Sequence, residues 1–210
     1  MTFHDKELTA PGTIDVAGRH VKRHHIDQPE RCLEAGNFDF LVGAWTVVNR
    51  RLRQRHVGSD DWDEFPGTLV AHCFFDGAGS FDEMRCPTRG FSGSTVRLLD
   101  PTTGLWSIYW MNSRRGVLEL PPVVGRFVGG VGTFYADDTD EGRPVRCRFV
   151  WSRITATSCR WEQAFSTDAE QTWETNWVMD FSRASTASTM LDGGVQEQDV
   201  SGGASSPSGE

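Results

Sequence analysis

Phe38-Asp39-Phe40-Leu41-Val42-Gly43-Ala44-Trp45-Thr46-Val47 is the stretch on which the reading of this chain turns. An apolar lead-in ends at Gly43. From Trp45 onward the residues alternate, with Trp45, Val47, Asn49 and Arg51 sharing one face, which is the period-two pattern of a strand. The strand is expected to run from Trp45 to Arg53 and to end in the polar loop Gly58-Ser59-Asp60-Asp61.

The same alternation fills most of the chain between this loop and Phe181. Strands are predicted over Phe65 to Phe75, Phe81 to Cys86, Thr95 to Leu99, Leu105 to Asn112, Arg126 to Val128 and Val131 to Tyr135. Three more are predicted over Val145 to Arg153, Cys159 to Phe165 and Trp173 to Phe181. Turn signals separate them: Gly77-Ala78-Gly79, Asp100-Pro101-Thr102-Thr103-Gly104, and the permissive pair Gly129-Gly130. About ten short strands with no long amphipathic helix among them mean an all-β barrel or sandwich.

Outside this region the composition changes. Residues 1–28 mix charge, His and Gly without a period and are expected to form a disordered extension. Pro29 to Gly36 has Pro at its start and Gly at its stop, the punctuation of a short helix. Residues 184–210 are rich in Ser and Gly, lack aromatics and carry half of the net charge of −8. Such a segment cannot bury enough surface to offset its ordering entropy. The domain is therefore expected over 29–183.

An acidic body argues against a nucleic-acid partner, which needs a basic stripe; Arg50-Arg51-Leu52-Arg53-Gln54-Arg55 is too short to supply one. No stretch approaches the roughly 18 apolar residues of a membrane span. The five cysteines are odd in number and form no Cys-x-x-Cys pair, so reduced thiols and a cytoplasmic setting are expected.

Gly43-x-Trp45 resembles the opening of the calycins, the superfamily of lipocalins and fatty-acid-binding proteins. The chain is also similar to a group of uncharacterised bacterial calycin-like proteins, through Asp39-Phe40-Leu41-Val42-Gly43-x-Trp45 and the Thr172-Trp173-Glu174-x-Asn176-Trp177 segment. The resemblance implies a single antiparallel up-and-down barrel over Phe38 to Arg183, with Trp45 plugging one end and Arg183 covering it. It also implies an enclosed small molecule, on the pattern of intracellular carriers. Related barrels that hold haem do so through a histidine in the later strands; here none follows His72, so no haem and no other cofactor is expected.

If Trp45 points inward, strand parity brings a defined set of side chains to the interior. Trp106, Trp110 and Asn112 come from one strand, Trp161 and Gln163 from the next to last, and Thr175 and Trp177 from the last. Together with Asn49 and Arg51 they form an aromatic box with a few polar groups, the usual composition of a small-molecule site. The alternative is a collapsed barrel filled by the same aromatics. Arg51 is either an inward cation awaiting a carboxylate or an anionic ligand, or a solvated tip beyond the barrel.

Catalytic constellations are few. There is no nucleophile elbow, phosphate loop or dinucleotide fingerprint. Asp137-Asp138-Thr139-Asp140-Glu141-Gly142 lacks the Glu that a calcium loop needs at its twelfth position and reads as an acidic hairpin. Ser166-Thr167-Asp168-Ala169-Glu170-Gln171-Thr172-Trp173 resembles an Asp-box hairpin, with Glu170 where that pattern has Gly. No metal is expected. What remains is acid–base work by Asp82 or Glu83, which would suit a cofactor-independent cyclase, isomerase or dehydratase of secondary metabolism acting on an apolar substrate.

Overall fold

The computed structural model describes residues 36–185. The N-terminal extension, most of the helix expected over Pro29 to Gly36 and nearly all of the Ser/Gly-rich tail lie outside the described residues. Ten strands occupy the rest: β1 (Gly43–Leu52), β2 (Trp62–Phe74), β3 (Gly79–Cys86), β4 (Phe91–Asp100) and β5 (Leu105–Asn112). They continue as β6 (Val123–Val128), β7 (Val131–Asp140), β8 (Arg143–Ser152), β9 (Ser158–Ser166) and β10 (Glu174–Arg183). Each pairs antiparallel with its neighbours in the chain, and β10 returns to β1, so the sheet closes on itself as an up-and-down barrel. The seam is in register from Trp45 opposite Arg183 to Arg51 opposite Trp177. Closure removes the exposed edges that an open sheet would present. Among the described residues the only helical segments are 3-10 turns, and no helix is long and apolar enough to cross a membrane.

Local chemistry accounts for the hairpins. Gly129 and Gly130 both take positive φ, at 58° and 80°, the mirror-image turn whose twist matches that of the flanking strands. The β9–β10 turn is held by Asp168, whose carboxylate accepts from the Thr172 amide at 2.9 Å, the Thr172 hydroxyl at 2.6 Å and the Ser166 hydroxyl at 2.8 Å. Those bonds lower its pKa to about 2. Glu170, in the position that the Asp-box pattern gives to Gly, is left-handed at φ 70°.

One end of the barrel is plugged. A 3-10 turn over Asp39–Leu41 brings Phe38 and Leu41 into the core, and the Trp45 indole N–H donates to the Leu41 carbonyl at 2.7 Å. Phe38 meets Trp106 and Phe127 edge-on, at 4.9 and 5.0 Å between centroids. Arg183 lies 4.0 Å over the Trp45 ring and donates to the carbonyls of Phe40, Val42 and Ala156. It therefore locks the plug to the last strand.

Two expectations for the last strand need correction. Its register passes from Thr175 opposite Ala164 to Trp177 opposite Gln163, so Asn176 is an extra residue in a β-bulge. A bulge reverses parity: Asn176 is buried, and Thr175 sits opposite Ala164, on the face away from Gln163. Trp173 precedes β10 and packs outside, with the Arg148 guanidinium 4.3 Å above its ring and Tyr135 beside it.

Candidate functional site

The other end of the barrel opens into a cavity of about 380 Å³. Its wall is aromatic. Trp177 meets Trp161 and Trp110 edge-on, at 5.6 and 6.4 Å, and Phe149 packs against Trp161 at 4.8 Å. Trp110 reaches this position because the residue beside it on β4 is Gly93: a Cβ there would come within 1.9 Å of its ring. A glycine inside a strand often marks such a close approach.

Of the residues expected inside, Arg51, Trp110, Asn112, Trp161, Gln163 and Trp177 line the cavity. Asn49 is fully buried behind the wall, where its side-chain carbonyl accepts from the Trp177 indole N–H at 3.1 Å. Its role is to orient that ring. Trp106 does not line the cavity; it belongs to the closed-end plug against Phe38. Thr175 is removed by the bulge. In its place Asn176 accepts a hydrogen bond from Gln163 at 2.8 Å.

The two candidate acids separate by parity. Glu83 faces outward and pairs with Arg85 at 3.0 Å, so it has no place in the site. Asp82 faces inward, 1% exposed, and lines the inner part of the cavity. Its partner is Arg97 on β4, with Nη2 2.5 Å from the carboxylate. Arg97 also donates to the Ser80 hydroxyl at 3.4 Å and spreads over Phe38 and Trp151. Burial pushes the Asp82 carboxyl up, and Arg97 and Thr95 pull it part of the way back. Sequence reasoning missed Arg97 because β4 was expected to start at Thr95 and had no recognised inward parity.

Arg51 stands at the mouth. Its guanidinium lies 4.8 Å over the Trp177 ring and pairs with no carboxylate among the described residues. It is still reached by solvent through the opening, yet crowding by the rim lowers its pKa, as does the neighbouring Arg55, while Asp140 acts the other way. Neither sequence alternative describes it fully: Arg51 faces inward, but at the boundary with water.

The rim is organised by the loop between β1 and β2. Arg55 grips the Asp140 carboxylate with two bonds, at 2.7 and 2.8 Å, and His56 reaches the same group at 2.8 Å. The His56 amide donates to Glu174, and its ring stacks on Phe165. Asp140 lies on β7, four strands from β1 around the barrel, so this loop crosses the opening. Burial pushes the Asp140 carboxyl up, but the Arg55 and His56 bonds outweigh it and hold it below its ordinary value. On the β5–β6 side only three residue pairs join the strands, and Leu120 and Pro121 from the connecting loop complete the wall.

No group of three or more His, Cys, Asp or Glu side chains among the described residues could hold a metal. Cys147 lines the cavity as a buried free thiol whose pKa burial raises, so it is a poor nucleophile. What the site supplies is aromatic surface, the rim cation Arg51, further charged rim residues Arg115, Glu119, Asp137, Asp138 and Asp140, the amides of Asn112 and Gln163, and a buried ion pair at its inner end.

No protein-family model matches this chain. No curated protein matches it either. Among solved structures it is similar to the S-type phycobiliprotein lyase CPES from Guillardia theta, at 12% sequence identity and a TM-score of 0.46, over 71% of this chain and 91% of that one.

Proposed function

We propose that this barrel is a calycin-type carrier that binds a small aromatic molecule in its open cavity, with a carboxylate, phenolate or carbonyl held at the mouth. The observation that carries the reading is Arg51: a cation stacked on Trp177, without a protein carboxylate among the described residues, at the entrance of an aromatic-walled space of about 380 Å³. That volume lies within the range of small-molecule pockets. A guanidinium grips planar oxygen groups through paired hydrogen bonds, and Asn112 and Gln163 offer amides nearby. The acidic composition and the free thiols at 73, 86, 147 and 159 support a cytoplasmic protein without a nucleic-acid partner.

Titration with 2-naphthoic acid, followed by tryptophan fluorescence, tests this. Binding should quench or shift the emission of the wall tryptophans. Arg51→Met keeps length and apolar bulk but removes the charge, and should weaken binding at least tenfold, on the order of 1.4 kcal/mol. Unchanged affinity in that variant would place Arg51 outside the site. Identification of whatever co-purifies with the protein would name the natural ligand.

A second reading, a cofactor-independent isomerase, cyclase or dehydratase, is favoured by Asp82, a buried carboxyl of raised pKa lining the cavity. Its Arg97 partner makes it a weaker general base than an unpaired carboxylate would be. Turnover of a bound substrate that survives Asp82→Asn would end this reading.

A further inference from the structure

The cavity has a second polar region, at its inner end. There Asp82, Thr95, Arg97 and Trp151 all contribute to the lining, and none of the four is more than 7% exposed. Two donors in this group lack an acceptor among the described residues: the Arg97 Nε–H, although its Nη groups are engaged, and the Trp151 indole N–H. A buried N–H left unpaired has given up its hydrogen bond to water and gained nothing in exchange. The wall tryptophan nearer the mouth behaves differently, since the Trp177 N–H is satisfied by Asn49. Among the tryptophans that line the cavity, the unmet donor thus lies at the floor.

Resting on the carrier reading above, we propose that this floor is a subsite for a neutral oxygen of the ligand, a hydroxyl or ketone carbonyl carried on the end of the aromatic body opposite to the group at Arg51. The oxygen accepts from Trp151 Nε1 and Arg97 Nε. A hydroxyl can in addition donate to Asp82, which is why it is the favoured function. The charge balance selects against an anion here. Arg97 is already neutralised by Asp82 at 2.5 Å, so a second carboxylate on the floor would itself be an uncompensated negative charge away from water.

Arg51 and Trp151 line the same cavity, the condition for one ligand to serve both regions.

The test compares 2-naphthoic acid with 6-hydroxy-2-naphthoic acid by isothermal titration calorimetry, using the full chain and Trp151→Phe. Phenylalanine keeps the aromatic character of the floor and removes the N–H. The hydroxylated probe is expected to bind the native protein at least tenfold more tightly, and in Trp151→Phe the ratio of the two affinities should fall to within about twofold of unity. Equal affinities in the native protein overturn the floor subsite but leave the carrier reading intact. An advantage that survives in Trp151→Phe also overturns it, as does a crystal structure of the complex in which the hydroxyl lies beyond about 3.5 Å from both donors. Failure of both probes to bind overturns the carrier reading and the subsite with it. If Trp151→Phe does not fold, the native affinity ratio together with that crystal structure decides the question.

Discussion

Removing the Asp82 carboxylate should unsettle the barrel more than most single substitutions, and removing its partner as well should largely repair the damage. Asp82→Leu leaves the Arg97 guanidinium 3% exposed with only the Ser80 hydroxyl and two aromatic faces around it. Breaking a buried ion pair from one side costs about 3–5 kcal/mol, because the remaining charge has lost both water and its counter-charge. With a urea dependence of about 2 kcal/mol/M, a loss of about 4 kcal/mol moves the unfolding midpoint down by about 2 M. Combining Asp82→Leu with Arg97→Met removes both charges and restores apolar bulk, which should return stability to within about 1 kcal/mol of the native chain. Urea unfolding followed by tryptophan fluorescence compares the native chain with the single and double variants. A single variant that costs less than about 1 kcal/mol, or a double variant no better than the single, would refute the view that this is a desolvated charge pair.

Arg183→Met removes the hydrogen bonds to the Phe40, Val42 and Ala156 carbonyls and the cation over Trp45, and should cost about 2 kcal/mol in a thermal melt, with the plug loosened before the barrel opens. The depressed Asp140 carboxyl stabilises the rim above about pH 4 and loses that contribution as pH falls; the difference in melting temperature between the native protein and Asp140→Asn should be largest near pH 6 and shrink below about pH 4. Among the described cysteines only Cys73 is exposed, while burial raises the thiols of Cys86 to about 11 and Cys159 to about 12, so iodoacetamide at about pH 8 should label Cys73 in the folded protein, as peptide mass mapping would show.

The architecture was legible because its signals are local. Alternation with period two specifies a strand and which of its faces is buried, and Gly129-Gly130 or Asp100 to Gly104 specify where it turns; neither depends on what lies across the barrel. The inward sets on β1, β5 and β9 could therefore be named by counting along the chain, whereas the Arg183 cover on Trp45 was implied by the resemblance to calycins and not by periodicity. The misplacements have an equally definite cause. Counting by two assumes an unbroken ladder, and the extra residue Asn176 breaks it, a feature that exists only in the pairing of β10 with β9. Trp106 and Trp177 both point inward, yet one is plug and the other wall, because depth along the barrel follows from where Phe38 and Leu41 fill the closed end. The Asp82–Arg97 pair and the reach of Arg55 to Asp140 join residues 15 and 85 positions apart. No spacing in the sequence announces such contacts; they arise when a closed sheet brings distant strands around one small volume and every buried charge must find its partner there.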